Sequence, residues 1–380
     1  LFVLALLTPS VGYFFDINDY QMLAENRRLA ERPDWPTERE ALRAFPVAFE
    51  KHFDDHFGFR SYLIGREKRL EWLGRRNEVD VQIGSGDWLF QGSANGIADQ
   101  FCVRPADVVL EAWVALSLGR HERLAGQGVE FHWVIAPNKH TIYPEHMPAA
   151  AREEIAPCET ERIADAFGRN GLSLLDLRQT LQSHRGEQAL FHRTDSHWNQ
   201  LGAAHGVREI IERLRGSHPA MPPFSLDDYS VLIEEESFQG NLASRLRVFG
   251  DLYAEPFLRL SPRRDVAAKM PASADPLDLR MHARKEPLVE FSTGRADLPT
   301  AVVFHDSFGF ATMELLAEHF ESIRFVNSYG LIDYEMLEEN PPDIVISLVV
   351  EVKLLAQPIS DRGPGEGLDH STPKIASNRH

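Results

Sequence analysis

The sequence predicts an α/β protein, a three-layer sandwich with a central, mostly parallel sheet and an N-terminal helical extension. Three features of the chain predict it. Apolar, β-leaning runs at 129–136, 301–304 and 343–350 read as strands buried on both faces. These runs alternate with helical periods at βαβ spacing, which gives parallel strands with helices on both faces. And 380 residues, 43% of them hydrophobic and 10% aromatic, can bury a full core.

Taken in order, residues 1–15 open with Leu1-Phe-Val-Leu-Ala-Leu-Leu7. Seven apolar residues are too few to cross a bilayer, which takes about 20. The stretch reads as the remnant of a signal sequence or membrane anchor, or as a short buried helix. Residues 16–78 form the helical extension. Thr37 can cap a helix starting at Glu38, Pro46 opens a second, and Phe45, Phe49, Phe53 and Phe57 make one packing face. A third helix, 61–76, carries Arg66, Lys68, Arg69, Arg75 and Arg76, which face solvent or anionic lipid and glycan.

Residues 79–355 are the catalytic domain. Gly84 to Phe90 give a turn and short strand, a helix follows over 105–126, and strand 129–136 is closed by Pro137. Asn138, Lys139, His140 and Tyr143 then stand beyond that strand's carboxyl end, where open α/β sheets bind ligands. Lys139 binds either substrate or the protein's own carboxylates. Helix 152–170, strand 172–177 and helix 200–215 come next, the last keeping Ile210, Ile211 and Leu214 on one side. Pro222, Pro223, Pro256, Pro262, Pro271 and Pro276 exclude a continuous helix from 217–299, which reads as an irregular insertion with short strands that walls the substrate groove. Strand 322–326, helix 334–338 and strand 343–350 complete the core, and 356–380, rich in Gly, Pro and Ser, is a disordered tail.

The chemistry centres on Phe304-His-Asp-Ser307-Phe-Gly, where strand 301–304 gives way to a helical period over 310–320. A serine at such a turn exposes its hydroxyl beside helix N–H groups, which suits a nucleophile that generates an oxyanion. Its base is His197 in Asp195-Ser-His197-Trp198-Asn199; side chains two apart in an extended segment share a side, so Asp195 can hold the imidazole in the accepting tautomer. Trp198 either packs against His197 or stacks on carbohydrate. His192, Asp195, His197 and His205 also allow a metal site, although the triad chemistry calls for no cofactor and no metal. Gly240-Asn241 either lends an amide to the chemistry or is a plain turn.

These motifs, with Pro137-Asn-Lys139-His-Thr-Ile-Tyr143 and Gly86-Asp-Trp88-Leu-Phe90, resemble the SGNH hydrolase-like family of the alginate O-acetylation proteins AlgJ and AlgX, over roughly residues 20–355. The resemblance implies a flavodoxin-like SGNH sandwich and a periplasmic enzyme, attached to the inner membrane, that moves acetyl groups onto an exopolysaccharide. Asp195, His197 and Ser307 match the family triad, and Lys139, Tyr329 and Glu351 are the substrate-binding candidates on the same rim. The acetyl donor would be relayed by a membrane-bound O-acyltransferase. The chain departs from many relatives at His305, where they carry Gly or Arg, and at Val352, where they continue a Glu-Arg pair. Two other readings fit the same residues: a carbohydrate acetyl-esterase of this fold, and a noncatalytic glycan-binding assembly subunit.

Net charge narrows the partners. A balance of −17 disfavours nucleic acid, and a polyuronate would need a locally basic groove. Cys102 and Cys158 are too few for a disulfide framework; they form a single bridge or remain two thiols.

Overall fold

The computed structural model describes residues 11, 13, 30–36, 39–56, 81–92, 107–148, 160–186, 188–246, 253–269, 288–355, 358 and 361. A small antiparallel pair, β1 (Val81–Ile83) and β2 (Leu89–Gln91), precedes the main sheet. The main sheet contains β3 (Glu130–Ala136) and β4 (Leu174–Asp176). A separate antiparallel hairpin follows in sequence, β5 (Tyr229–Phe238) with β6 (Glu255–Pro262). Then come β7 (Leu288–Ser292), β8 (Ala301–His305), β9 (Ser322–Asn327) and β10 (Ile344–Val350), which finish a six-stranded sheet ordered β4-β3-β10-β8-β9-β7. Every pairing in it is parallel except β7 with β9.

Period-two alternation distributes the strand side chains between the two helical layers. Val134, Val303, Ile346 and Leu348 pack with Ala203, Val207, Ile210, Ile211 and Leu214 of the Gln200–Arg215 helix. On the opposite face, Trp133, Ile135 and Val349 meet the helices Asp107–Ala125 and Thr160–Arg169, while Val302, Phe304 and Val345 meet Tyr334 and Leu337. All residues of β8 and β10 are buried, as continuous apolar runs require. The carboxyl ends of β3, β8, β9 and β10 therefore emerge side by side at one rim.

Three expectations need correction. Pro46 does not open a second helix: Arg39–His56 is one helix with the proline inside it, and Phe45 and Phe49 stack along it at 5.8 Å. The period after Ser307 does not make one long helix either. Ser307–Thr312 winds as a 3-10 turn before a short helix, Met313–Ala317. The 217–299 region has the expected strands, β5 and β6, but is not all insertion, because β7 is the antiparallel edge of the core sheet. Val289 and Phe291 alternate inward from β7 and seat it there. Of the 356–380 segment only residues 358 and 361 are described, and the Asp361 carboxylate takes two bonds from buried Arg120, at 2.9 and 2.5 Å, and one from the Ile332 N–H at 3.0 Å. The proposed helix 61–76, both cysteines and most of residues 1–15 lie outside the described residues. Among the described residues no helix is long and apolar enough to cross a membrane.

Candidate active site

The nucleophile turn is built from its own neighbours. Asp306, directly after β8, accepts the Phe308 N–H at 2.9 Å on one oxygen and the Val350 N–H at 2.8 Å on the other. The carboxylate thus caps the 3-10 turn and ties it to the end of β10. Burial raises the Asp306 pKa, and the two amides oppose that rise. Ser307 is left exposed at the rim. Gly309 is required by close approach, since a Cβ there would lie 2.3 Å from the His305 ring. His305 itself is fully buried and donates from Nδ1 to the Asp306 carbonyl at 2.6 Å, and burial draws its pKa down to about 4.

The acid–base loop comes to meet it. Asp195 Oδ1 accepts both the backbone N–H of His197, at 2.9 Å, and its Nδ1–H, at 2.6 Å. With Nδ1 protonated, Nε2 is the acceptor, and Ser307 Oγ donates to it at 2.8 Å. The three expected residues therefore form one continuous hydrogen-bonded relay, with the proton of the serine aimed at the base. Trp198 is fully buried and donates from Nε1 to the Phe308 carbonyl at 3.0 Å. The Phe308 ring lies 5.0 Å from that of His197, so Trp198 packs the two halves together and is not a carbohydrate platform.

Remote segments hold the loop. The Asn241 N–H donates to Asp195 Oδ2 at 2.8 Å, and the Asn241 side chain pairs with the Ser196 N–H and hydroxyl at 2.9 and 2.8 Å. Gly240 touches the Asp195 backbone, where a Cβ would sit 2.5 Å from the Asp195 nitrogen. Gly240-Asn241 is thus neither a plain turn nor an amide aimed at the nucleophile; it fixes the acid. Glu255, from the β5–β6 hairpin, accepts the N–H groups of Arg193 and Thr194 at 2.8 and 2.7 Å.

The remaining rim candidates divide. Lys139 is buried and donates to the carbonyls of Leu89, Arg193 and Asp195 at 2.7, 2.7 and 3.0 Å. An ammonium has three donors, so none remains for substrate, and its partners are carbonyls where carboxylates were the alternative. Glu351 is also buried; it accepts the Asn138 N–H at 3.1 Å and the Thr141 hydroxyl, bracing the loop after β3, and burial raises its pKa to about 7. Tyr329 alone of these three is exposed. It sits after β9 at φ 59°, and Lys353 Nζ lies 5.1 Å from its ring. The charge of Lys353 is among the smaller effects that oppose the rise of the Asp306 pKa. The histidines of the suspected metal site do not converge: His192 packs on Phe238 and Phe257, and His205 on His184.

Sequence reasoning missed Asp306, Glu255 and Lys353. Asp306 had a local signal, an N-cap residue one position before a helical turn. Glu255 had none, because only the hairpin brings it 61 residues back to Thr194.

Residues 81–268 match the family model described as SGNH hydrolase-like domain, acetyltransferase AlgX. The match includes Asp195 and His197 and ends before Ser307. The chain is 28% identical over 216 residues to the probable alginate O-acetylase AlgJ of Pseudomonas aeruginosa, covering 55% of this chain and 53% of that protein. It is 30% identical over 165 residues to the probable alginate O-acetylase AlgJ of Azotobacter vinelandii, covering 41% and 39%. The chain therefore spans about half the length or less of these curated relatives. Bacillus cereus PatB1 shares the fold, with a TM-score of 0.54 at 17% identity over 72% of this chain and 96% of that one.

Proposed function

We propose that this chain, whose residues 81–268 are an SGNH hydrolase-like domain of the AlgX acetyltransferase family, is an O-acetyltransferase that acetylates an exopolysaccharide through an acetyl-serine on Ser307. The observation that carries the reading is the unbroken line from Asp195 through His197 to Ser307, with bonds of 2.6 and 2.8 Å.

In this mechanism His197 Nε2 takes the hydroxyl proton as Ser307 Oγ attacks the acetyl carbonyl. The resulting oxyanion faces the first N–H of the turn, that of Ser307, which begins a helical segment and so has no partner within it. Collapse expels the donor's leaving group, which takes the proton from His197. A sugar hydroxyl then gives its proton to Nε2 and attacks the acetyl-serine, and Nε2 returns that proton to Ser307 Oγ as the C–O bond to the enzyme breaks. Asp195 keeps the imidazole in one tautomer throughout and stabilises its charged form.

Tyr329, next to Ser328 whose N–H donates to the His305 carbonyl, and Lys353 over the Tyr329 ring are the acceptor contacts of this proposal: an exposed ring for a sugar face, and a cation that suits a uronate carboxylate. The same proposal places the enzyme in the periplasm, attached to the inner membrane through its apolar opening segment, with acetyl relayed by a membrane-bound O-acyltransferase. The test is whole-protein mass spectrometry after exposure to an activated acetyl ester. A single acetyl adduct on Ser307 is expected, passing to an added oligosaccharide faster than to water. No adduct on the wild-type chain overturns the acyl-enzyme; an adduct that only water removes replaces transferase with esterase.

A further inference from the structure

We infer that Lys139 and Glu255 are a pair of positioning residues that together fix the backbone of residues 193–195 and so aim Asp195 at His197. The inference deepens the acyl-transfer reading and rests on it.

Residues 193–195 run as bends without a strand ladder, so their buried backbone groups must find partners elsewhere. The partners can be enumerated. The Arg193 and Thr194 N–H groups donate to the two oxygens of Glu255 at 2.8 and 2.7 Å, and the Thr194 hydroxyl adds a third bond at 2.6 Å. The Arg193 and Asp195 carbonyls accept from Lys139 Nζ at 2.7 and 3.0 Å. Only the Thr194 carbonyl, which accepts from the Leu242 and Ala243 N–H groups, and a second bond to Arg193 from the Leu89 N–H are supplied by backbone. Lys139 therefore serves two carbonyls of this segment, those of Arg193 and Asp195, and Glu255 two amides, those of Arg193 and Thr194.

Lys139 is also held from behind. Lys139 Nζ lies 5.0 and 5.3 Å from the rings of Trp88 and Phe90, and its third bond reaches Leu89. Burial draws its pKa down to about 7, an effect the Glu255 and Asp195 carboxylates oppose. Neither residue contacts Ser307 or the imidazole, so neither is a catalytic residue. They act through the direction of one carboxylate, and displacements on the order of 1 Å at such a point cost roughly 100-fold in rate.

The test uses Glu255→Gln, which keeps the volume, with Lys139→Met and Lys139→Arg, and follows Ser307 acetylation by an activated acetyl ester over a range of ester concentrations. Glu255→Gln and Lys139→Met are expected to lower the maximal acetylation rate per folded molecule about 10- to 100-fold while the half-saturating ester concentration stays within about twofold. Lys139→Arg, which keeps donors at the site, should recover part of the rate. A purely structural role would lower the folded fraction and leave the rate per folded molecule alone, and that result with Glu255→Gln overturns the inference even if Lys139→Met does not fold. A second readout needs no substrate: the low-field proton resonance of the Asp195–His197 hydrogen bond should shift or broaden in Glu255→Gln. An unchanged resonance overturns the clamp, whereas absence of a Ser307 adduct in the wild-type chain overturns the acyl-transfer reading.

Discussion

Ser307 is held by its neighbours in sequence, through Asp306 before it and Gly309 after it, whereas Asp195 is held by residues 46 to 62 positions from the segment they brace. The nucleophile turn inherits its direction from β8, a strand whose register is fixed on both sides by β10 and β9. The acid–base loop belongs to no strand ladder; beside an isolated bridge between Phe191 and Trp198 and a few backbone bonds, it is propped by Lys139, Glu255 and Asn241. One half of the relay is rigid because of local geometry, and the other because several distant segments converge on it. The first should tolerate changes elsewhere in the chain; the second should fail when the hairpin or the β1–β2 pair is disturbed.

The largest effects come from cutting the relay itself. Ser307→Ala and His197→Ala should each reduce acetyl-ester turnover at least about 10³-fold, with circular dichroism and melting unchanged. Asp195→Asn should lose roughly 10²- to 10⁴-fold, since it leaves nucleophile and base in place but removes the anion that fixes the tautomer. Turnover near wild type in the serine variant would remove Ser307 from the chemistry.

A matched pair of substitutions sharpens the contrast between the halves. In Gly309→Ala the new methyl meets the His305 side chain, and in Gly240→Ala it meets the backbone of Thr194 and Asp195, at 2.3 and 2.5 Å respectively. Both should destabilise by about 1–3 kcal/mol, as overpacking does. Only the first can be relieved by removing a side chain: His305→Gly, which also takes away the Cβ 2.6 Å from the new methyl, should partly rescue Gly309→Ala in a double-mutant cycle, while no neighbouring truncation rescues Gly240→Ala. Additive losses in the His305 cycle would show that the turn had moved instead.

Acidification should weaken the nucleophile half. His305 ionises near 4 in the folded chain against an ordinary value of 6.5, so between these values the unfolded state binds more protons than the native one. Its contribution is complete above about pH 6.5 and is lost as pH falls toward 4, to a total of about 3 kcal/mol. His305→Asn removes the titration and should flatten that part of the stability profile in denaturant melts; a slope equal to wild type would assign it to other groups.

The smallest effect is expected where the two halves touch. Trp198→Phe keeps an aromatic ring but removes the bond to the Phe308 carbonyl and part of the buried volume, at a cost of about 1–3 kcal/mol and a modest drop in rate. A rate loss as large as that of Asp195→Asn would mean that this one bond sets the alignment of the whole relay.

By itself the sequence determined the parts whose signals are short in range. Period-two and apolar runs placed β3, β8, β9 and β10, the Gln200–Arg215 helix was legible to its ends, and two motifs named Asp195, His197 and Ser307 as residues to be brought together. Tertiary structure decided what surrounds them. Lys139 and Glu351 stand at strand ends and so read as rim residues, yet burial turned both inward to satisfy backbone groups. Glu255 and Asp361 looked like parts of a loose insertion and a tail, because a carboxylate's partner across 61 or 241 residues leaves no periodicity to find. Periodicity encodes which face of an element is buried; which buried polar group answers which depends on segments that meet only once the chain has folded.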